Sequence, residues 1–399
     1  MTRFISLISI LLLTPGIYGQ CNLKTAGAYF KRSLYEFSND LAVRINYETD
    51  SHFVMSGLSA WTLISALSFG ATDETLQEIY QVARLHPHKC FNNKIFKLLR
   101  DQKETAVGTL EKSSALFVDE RMIVQEKFQV DVQKTGVCGV KVLSFDDTIS
   151  SAATINQYVN EVTHSTIEEI VIPSDLEGVI LVLIDALYFK GAWKTQFPYD
   201  DTEPSAFYNH QGNQIGDVNL MFVTGSFNLS RIDQLKSSVL ELPYGNDGRF
   251  SMLIFRPHND VTVSTVIQEM KSISLAAILD SFHGAHSVAV QIPRFKVTSD
   301  INNLKELLID MGLITMFDSD RASFSDLSDY PVYVSNFIQK ANIEVTEDGT
   351  VASSVSVVTF EARMLPDQFV VNRPFLYMII DRALEIPLFI GAYSEPSLF

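Results

Sequence analysis

No residue pattern in this chain builds a catalytic centre of its own. It holds no Gly-x-Ser-x-Gly elbow, no glycine-rich phosphate loop and no Cys-x-x-Cys pair. His86-Pro87-His88 beside Cys90, and His283 with His286, lack the ligand spacing of a metal site, so no metal and no cofactor is expected. One side chain is placed for chemistry done by something else. Arg363 is the only basic residue between Thr350 and Val371. It lies in Glu361-Ala362-Arg363-Met364-Leu365-Pro366-Asp367, a short, polar, proline-bearing stretch that reads as an exposed loop. A guanidinium held out in this way suits a pocket floored by a carboxylate.

The elements before it explain how such a loop would be used. Asn342-Ile343-Glu344-Val345 reads as a strand and runs into an acidic turn, Glu347-Asp348-Gly349. From Thr350 to Phe360 there is no charge, glycine or proline, and Thr350, Val351, Val355, Val357, Val358 and Thr359 are β-branched, which predicts an extended strand. An exposed strand of this kind is normally blunted by charge or proline; this one is not, which suggests that it has somewhere to go. Alternation puts Thr350, Ala352, Ser354, Ser356, Val358 and Phe360 on one face. The first four are small, so that face could slide between two existing strands.

The run Val334 to Thr350 resembles the hinge signature of the serpins. Asn372-Arg373-Pro374-Phe375-Leu376-Tyr377 and Pro387-Leu388-Phe389-Ile390-Gly391-Ala392 are similar to that family's terminal strands. Leu183 to Trp193 is similar to its central-sheet strand, and Ser56-Gly57-Leu58-Ser59 with Gly70-Ala71-Thr72 and Thr75 to its second helix and following turn. The match runs from about Ala26 to Pro396. It implies an α+β serpin fold, three β-sheets with about nine helices and an exposed reactive-centre loop at about 348–368.

The resemblance also implies a mechanism. Seventeen residues from Glu347 bring the family's count to Arg363, so a trypsin-like serine protease is the expected target, cutting between Arg363 and Met364; Phe360 or Met364 would serve a chymotrypsin-like enzyme. Hinge residues Glu347, Gly349, Thr350, Ala352, Ser353, Ser354 and Ser356 suit an inhibitor whose residues 349–363 enter the central sheet after cleavage. Val351 and Val355 stand where acidic residues and alanine are commoner. The other function that the fold allows is a non-inhibitory carrier or storage protein with an inert loop. Ser56 and Ser59 match the polar layer under the parting strands, where Asp185 and Gln339 replace the usual asparagine–histidine pair. Glu347 with Arg294, and Trp193, match residues at the mouth through which the loop enters. Gly57 stands where proline is usual.

Composition sets the compartment. Met1 to Gly19, with Arg3 and an apolar run from Phe4 to Leu13, reads as a secretory signal peptide, leaving a single domain at 20–399. No later apolar stretch is long enough to span a bilayer. Three cysteines, Cys21, Cys90 and Cys138, permit one disulfide, and the sequence does not say which. Asn228-Leu229-Ser230 is a glycosylation sequon. A net charge of −16 argues against nucleic-acid binding. Locally, Lys94, Lys97 and Arg100 share an arc of a helix predicted at Lys89–Lys103, opposite Ile95, Leu98 and Leu99, and could meet a sulfated polysaccharide, although Asp101 sits on the same arc. A secreted, extracellular monomer is expected.

Overall fold

The computed structural model describes residues 20–105, 110–163, 165, 167–189, 191–301, 303–350 and 365–399. Helix α1 (Leu23–Glu48) starts on a reciprocal cap: Asn22 Oδ1 accepts from the Thr25 amide at 3.0 Å, and Thr25 Oγ1 accepts from the Asn22 amide at 3.1 Å. Phe30, Leu34, Phe37, Leu41 and Ile45 form its buried stripe. Helix α2 (Gly57–Leu67) is buried along its whole length and carries no charge. Next come α3 (Asp73–Val82), α4 (Lys89–Thr105), α5 (Glu126–Thr135) and α6 (Thr148–Val162). The shorter α7 (Val263–Glu269), α8 (Leu275–Asp280) and α9 (Leu304–Asp310) bring the α-helices among the described residues to nine.

A nine-stranded path runs in the order β1 (Phe53–Met55), β16 (Ile386–Tyr393), β15 (Phe375–Asp381), β9 (Phe250–Pro257), β8 (Ser237–Pro243), β7 (Gln214–Ile232), β10 (His286–Pro293) and β14 (Asp367–Val370), with β6 (Glu203–Tyr208) also on β7. β7 is 19 residues long and serves two sheets: Leu220–Phe227 pair with β10, and Asn228–Ile232 pair with β8. The expected three sheets are thus the two halves of this path and a separate five-stranded sheet. The short β1 is buried at Phe53, Val54 and Met55 and completes the edge beside β16.

The five-stranded sheet has the order β11 (Phe295–Ile301), β12 (Asn336–Val345), β4 (Leu181–Phe189), β2 (Leu110–Asp119) and β3 (Gly139–Leu143). Both faces of β4 are covered. Leu181, Leu183 and Phe189 join the main core, while Val182, Ile184 and Ala186 join a second cluster with Ile155 and Val159 of α6. That accounts for its nearly continuous apolar sequence. β12 and β4 run parallel from Asn336↔Val182 to Ala341↔Leu187 and pair no further. Beyond that last rung, a two-rung ladder joins β5 (Gly191–Ala192) to β13 (Gly349–Thr350).

Cys21 and Cys90 form the disulfide, tying the chain just before α1 to the first turn of α4; Cys138 stands outside it. Among the described residues no helix is long and apolar enough to cross a membrane, and no three His, Cys, Asp or Glu side chains converge as metal ligands.

Candidate functional site

At the end of β12 the chain reverses at once. Thr346 N donates to Gly349 O at 3.0 Å and Gly349 N donates to Thr346 O at 3.2 Å, so Glu347-Asp348 is the loop of a two-residue hairpin. Gly349 has φ +127°, and a Cβ there would lie 2.3 Å from Gly191 O, so the position demands glycine. The return arm, β13, pairs antiparallel with β5: Gly349 opposite Ala192 and Thr350 opposite Gly191. Since β5 continues the line of β4, the hairpin occupies the gap that opens between β12 and β4 above Ala341↔Leu187. Two rungs of strand pairing are made there.

Residues 193–202 cradle the turn. Trp193 N donates to Asp348 O at 2.8 Å, Phe197 N to Glu347 O at 3.0 Å, and Trp193 Nε1 to Thr346 O at 2.9 Å. Trp193 is itself stacked on Tyr244, with ring centroids 4.3 Å apart. The Glu347 carboxylate is buried; Oε1 accepts from Thr202 Oγ1 at 2.8 Å and from Arg294 Nη1 at 3.3 Å. Arg294 Nε also donates to Phe399 O at 2.6 Å, which anchors the guanidinium from behind. Asp348 accepts from Gln196 Nε2 through Oδ1 at 3.3 Å and from the Tyr199 hydroxyl through Oδ2. That hydrogen bond, with burial and the carboxylate charge adding to it, pushes the Tyr199 pKa up to about 12.

A second polar group lies lower in the same sheet. Asp185 of β4, fully buried, accepts from Ser114 Oγ of β2 at 2.6 Å and from Gln339 Nε2 of β12 at 2.8 Å, so its carboxylate spans three strands. Gln339 also exchanges hydrogen bonds with the Ser56 backbone, at 3.1 Å from Ser56 N and 3.0 Å to Ser56 O. Ser56 caps α2 by accepting from the Ser59 amide at 3.2 Å. The glycine at 57 has a local reason: a Cβ there would fall 2.1 Å from Ser38 Oγ of α1.

Arg363, Met364, Ala352, Ser353, Ser354 and Ser356, with most of the strand expected at Thr350–Phe360, lie outside the described residues, as does the leader at 1–19. The chain is described again from Leu365, which is exposed, into β14. On α4, Lys97 is exposed and Lys94 and Arg100 are half-exposed; Arg100 Nη1 donates to Lys134 O of α5 at 3.2 Å, and its Nε lies 4.0 Å from Asp101 Oδ1. Asn228 is half-buried in β7 and its amide donates to Glu241 Oε2 at 2.7 Å.

The family model described as serpin (serine protease inhibitor) matches residues 32–396. The chain belongs to the serpin family. Human glia-derived nexin is 29% identical over 354 residues, covering 86% of this chain and 88% of the relative. Mouse antithrombin-III is 30% identical over 393 residues, covering 94% and 82%. The crystal structure of native protease nexin-1 with heparin superposes with a TM-score of 0.80 at 26% identity, over 93% of this chain and 100% of that one.

Within this serpin, Thr202, Tyr199, Gln196 and Ser114 belong to the two polar groups and were not singled out from the sequence. Thr202, Tyr199 and Gln196 sit in an irregular segment, Lys194 to Thr202, that has no periodicity to read. Ser114 is one of two adjacent serines in β2, and nothing in the sequence tells which one faces Asp185.

Proposed function

We propose that this serpin is a secreted suicide inhibitor of trypsin-like serine proteases, cleaved after Arg363. The protease serine attacks the Arg363 carbonyl, Met364 departs as the new amino terminus, and Arg363 remains esterified to the enzyme. Residues 349–363, now free at one end, continue the hairpin between β12 and β4. Fifteen residues at ~3.3 Å each span ~50 Å, enough to drag the tethered enzyme along the length of the sheet. Each new backbone hydrogen bond contributes about 0.5–1.5 kcal/mol net, with apolar burial added, so the gross driving force is on the order of tens of kcal/mol. That is ample to distort an acyl-enzyme before water reaches it.

The observation that carries this reading is the preformed hairpin, with Gly349 and Thr350 already paired to Ala192 and Gly191. Extended one residue at a time, that register would set Ala352 opposite Phe189, Ser356 opposite Asp185, Val358 opposite Leu183 and Phe360 opposite Leu181. Opposed residues share a face. The small even-numbered residues would therefore turn to the main core, where Leu181, Leu183 and Phe189 lie. Val351, Val355 and Val357 would turn to the apolar cluster under α6, where Val182, Ile184 and Ala186 lie. The valines that depart from the commoner hinge pattern suit that side.

A sulfated polysaccharide is a proposed accessory ligand on α4, through Lys94, Lys97 and Arg100; nexin-1 was crystallised with heparin. Elution from heparin that does not move with salt, or no retention, removes it. The carrier reading has one observation of its own, a cleft of about 570 Å³ between α1 and residues 270–276. Its charged walls are already paired, Lys31 with Glu385, Arg84 with Glu36 and Asp40, and Lys271 with Asp40, so inhibition is preferred. The test is to mix the protein with trypsin and resolve it on a denaturing gel. A band at the summed mass, lost in Arg363→Ala, is expected; complete cleavage with no such band refutes inhibition.

A further inference from the structure

We propose that Tyr199 and Gln196 are positioning residues for loop insertion, pinning the hairpin turn through the Asp348 carboxylate so that the first two rungs are in place before the protease arrives. The proposal rests on the insertion reading above and concerns its starting point.

Three observations carry it. First, the turn must stay put. β13 has only two rungs on β5, and a two-rung ladder frays unless its turn is anchored. Backbone donors from Trp193 and Phe197 hold the main chain of the turn, and Thr202 and Arg294 hold Glu347. Asp348 is the remaining side chain, and Tyr199 and Gln196 take one carboxylate oxygen each.

Second, the charge balance makes those donors necessary. Asp348 follows Glu347 directly, so two carboxylates leave adjacent positions of the turn, and the Arg294 guanidinium goes to Glu347. Left without donors, the Asp348 carboxylate is free to return to solvent and no longer ties the turn to residues 196–199. A phenol supplies that hydrogen bond without charge of its own. It does so throughout the physiological range, since Tyr199 keeps its proton well above it.

Third, Tyr199 is not a core residue. It is 57% exposed, whereas the large aromatic residues of the core are fully buried. Pro198 precedes it with φ −66°, fixing the entry to the 3-10 turn Tyr199–Asp201 that aims the ring at the hairpin. A largely exposed aromatic ring whose hydroxyl donates to a carboxylate of the turn points to a role for that hydroxyl.

The step affected is the race that follows acylation. With the clamp, insertion propagates from an existing hairpin; without it, the turn has to be regained while the ester is open to hydrolysis. One charge-assisted hydrogen bond at a partly exposed site is worth a factor of about five in that propagation rate.

The experiment measures insertion by stopped-flow tryptophan fluorescence on mixing with excess trypsin, since Trp193 donates to Thr346 at the pivot. Tyr199→Phe and Asp348→Ala are each expected to slow insertion about fivefold and to raise the moles of inhibitor consumed per mole of complex, with the rate of Arg363 cleavage unchanged. The double variant is expected to be no slower than either single variant, and Asp348→Asn, which keeps an acceptor, to recover most of the rate. Unchanged insertion in Tyr199→Phe, or effects that simply multiply in the double variant, overturn the clamp while leaving the inhibitor reading intact. Cleavage without any insertion phase in the unsubstituted chain overturns the insertion reading, and the clamp with it.

Discussion

The register set by Gly349↔Ala192 and Thr350↔Gly191 can be tested deep in the sheet, at Ser356. In the uncut protein Asp185 is held by Ser114 at 2.6 Å and Gln339 at 2.8 Å. A strand inserted between β4 and β12 moves β12 away by ~4.8 Å and takes Gln339 out of reach. The register then offers Ser356 as the replacement donor. Ser356→Asp would instead set a second carboxylate opposite the first, with Cβ atoms ~5 Å apart, in a dry interior. Two such groups share one proton. Keeping an ordinary aspartic acid, pKa ~3.9, protonated costs about 4–5 kcal/mol at pH ~7.4 and about 2 kcal/mol at pH ~5.5. The sign follows: the inserted form binds the extra proton, so the penalty is full at neutral pH and shrinks as pH falls. The assay is thermal melting of cleaved and uncut protein at both pH values, with Ser356→Asn as the neutral control. Cleaved Ser356→Asp is expected to melt on the order of 5–10 °C below cleaved control at neutral pH, with the gap about halved at the lower pH. The uncut forms should melt together, because Asp185 keeps Gln339 there. A cleaved variant that is as heat-resistant as its control at neutral pH refutes the register.

Gly349→Ala forces a Cβ to within 2.3 Å of Gly191 O at φ +127°, so the hairpin should be lost and the protein should be cleaved by trypsin with little or no gel-stable complex. Gly57→Ala places a Cβ 2.1 Å from Ser38 Oγ and 2.6 Å from Ser38 Cβ; urea unfolding should show a loss of about 1–3 kcal/mol, largely restored by adding Ser38→Gly. His52 has its pKa lowered, chiefly by burial, and its Nδ1 accepts from the Ser394 and Glu395 amides at 3.4 and 3.2 Å. Because the folded state resists the proton, stability should be full above the unfolded value of ~6.5 and fall as pH drops below it, and His52→Gln should flatten that slope in urea midpoints between pH ~7.5 and ~5.5.

Part of the site was legible because its logic is local. An acidic turn closed by a glycine directly after a strand is a local pattern, and the structure puts Gly349 in the return arm of a hairpin at the end of β12; the small alternate residues after it and the lone arginine lie outside the described residues. The amphipathic helix at α4 was legible for the same reason, to within two residues of its end. What could not be read was pairing across distance. The Cys21–Cys90 choice depends on α1 and α4 lying side by side, a fact of packing over a separation of 69 residues. Only the neighbours of β7 reveal that it changes sheets at Asn228.

The polar layer around Asp185 and the mouth differ in a way that the sequence half-disclosed. In the polar layer, both partners sit on regular strands, so Asp185 and Gln339 could be aligned with the pair that the family resemblance implies. At the mouth, Glu347 and Arg294 were found by the same route, yet Thr202, Tyr199 and Gln196 come from a loop whose one regular element is the single 3-10 turn Tyr199–Asp201, too short for a spacing rule to assign a direction to a side chain. Both groups nevertheless share one arrangement: a carboxylate held by neutral or cationic donors beside the line between β12 and β4. On the proposed insertion, the donor on β12 to Asp185 would have to be surrendered for the loop to pass, whereas the donors to Glu347 and Asp348 would stay in place. The lower group would then act as the latch that resists insertion and the upper group as the pivot about which it turns. Weakening Gln339 should accelerate insertion, and weakening Tyr199 should slow it. Opposite signs from two losses of one hydrogen bond to a carboxylate are a result that general destabilisation does not produce.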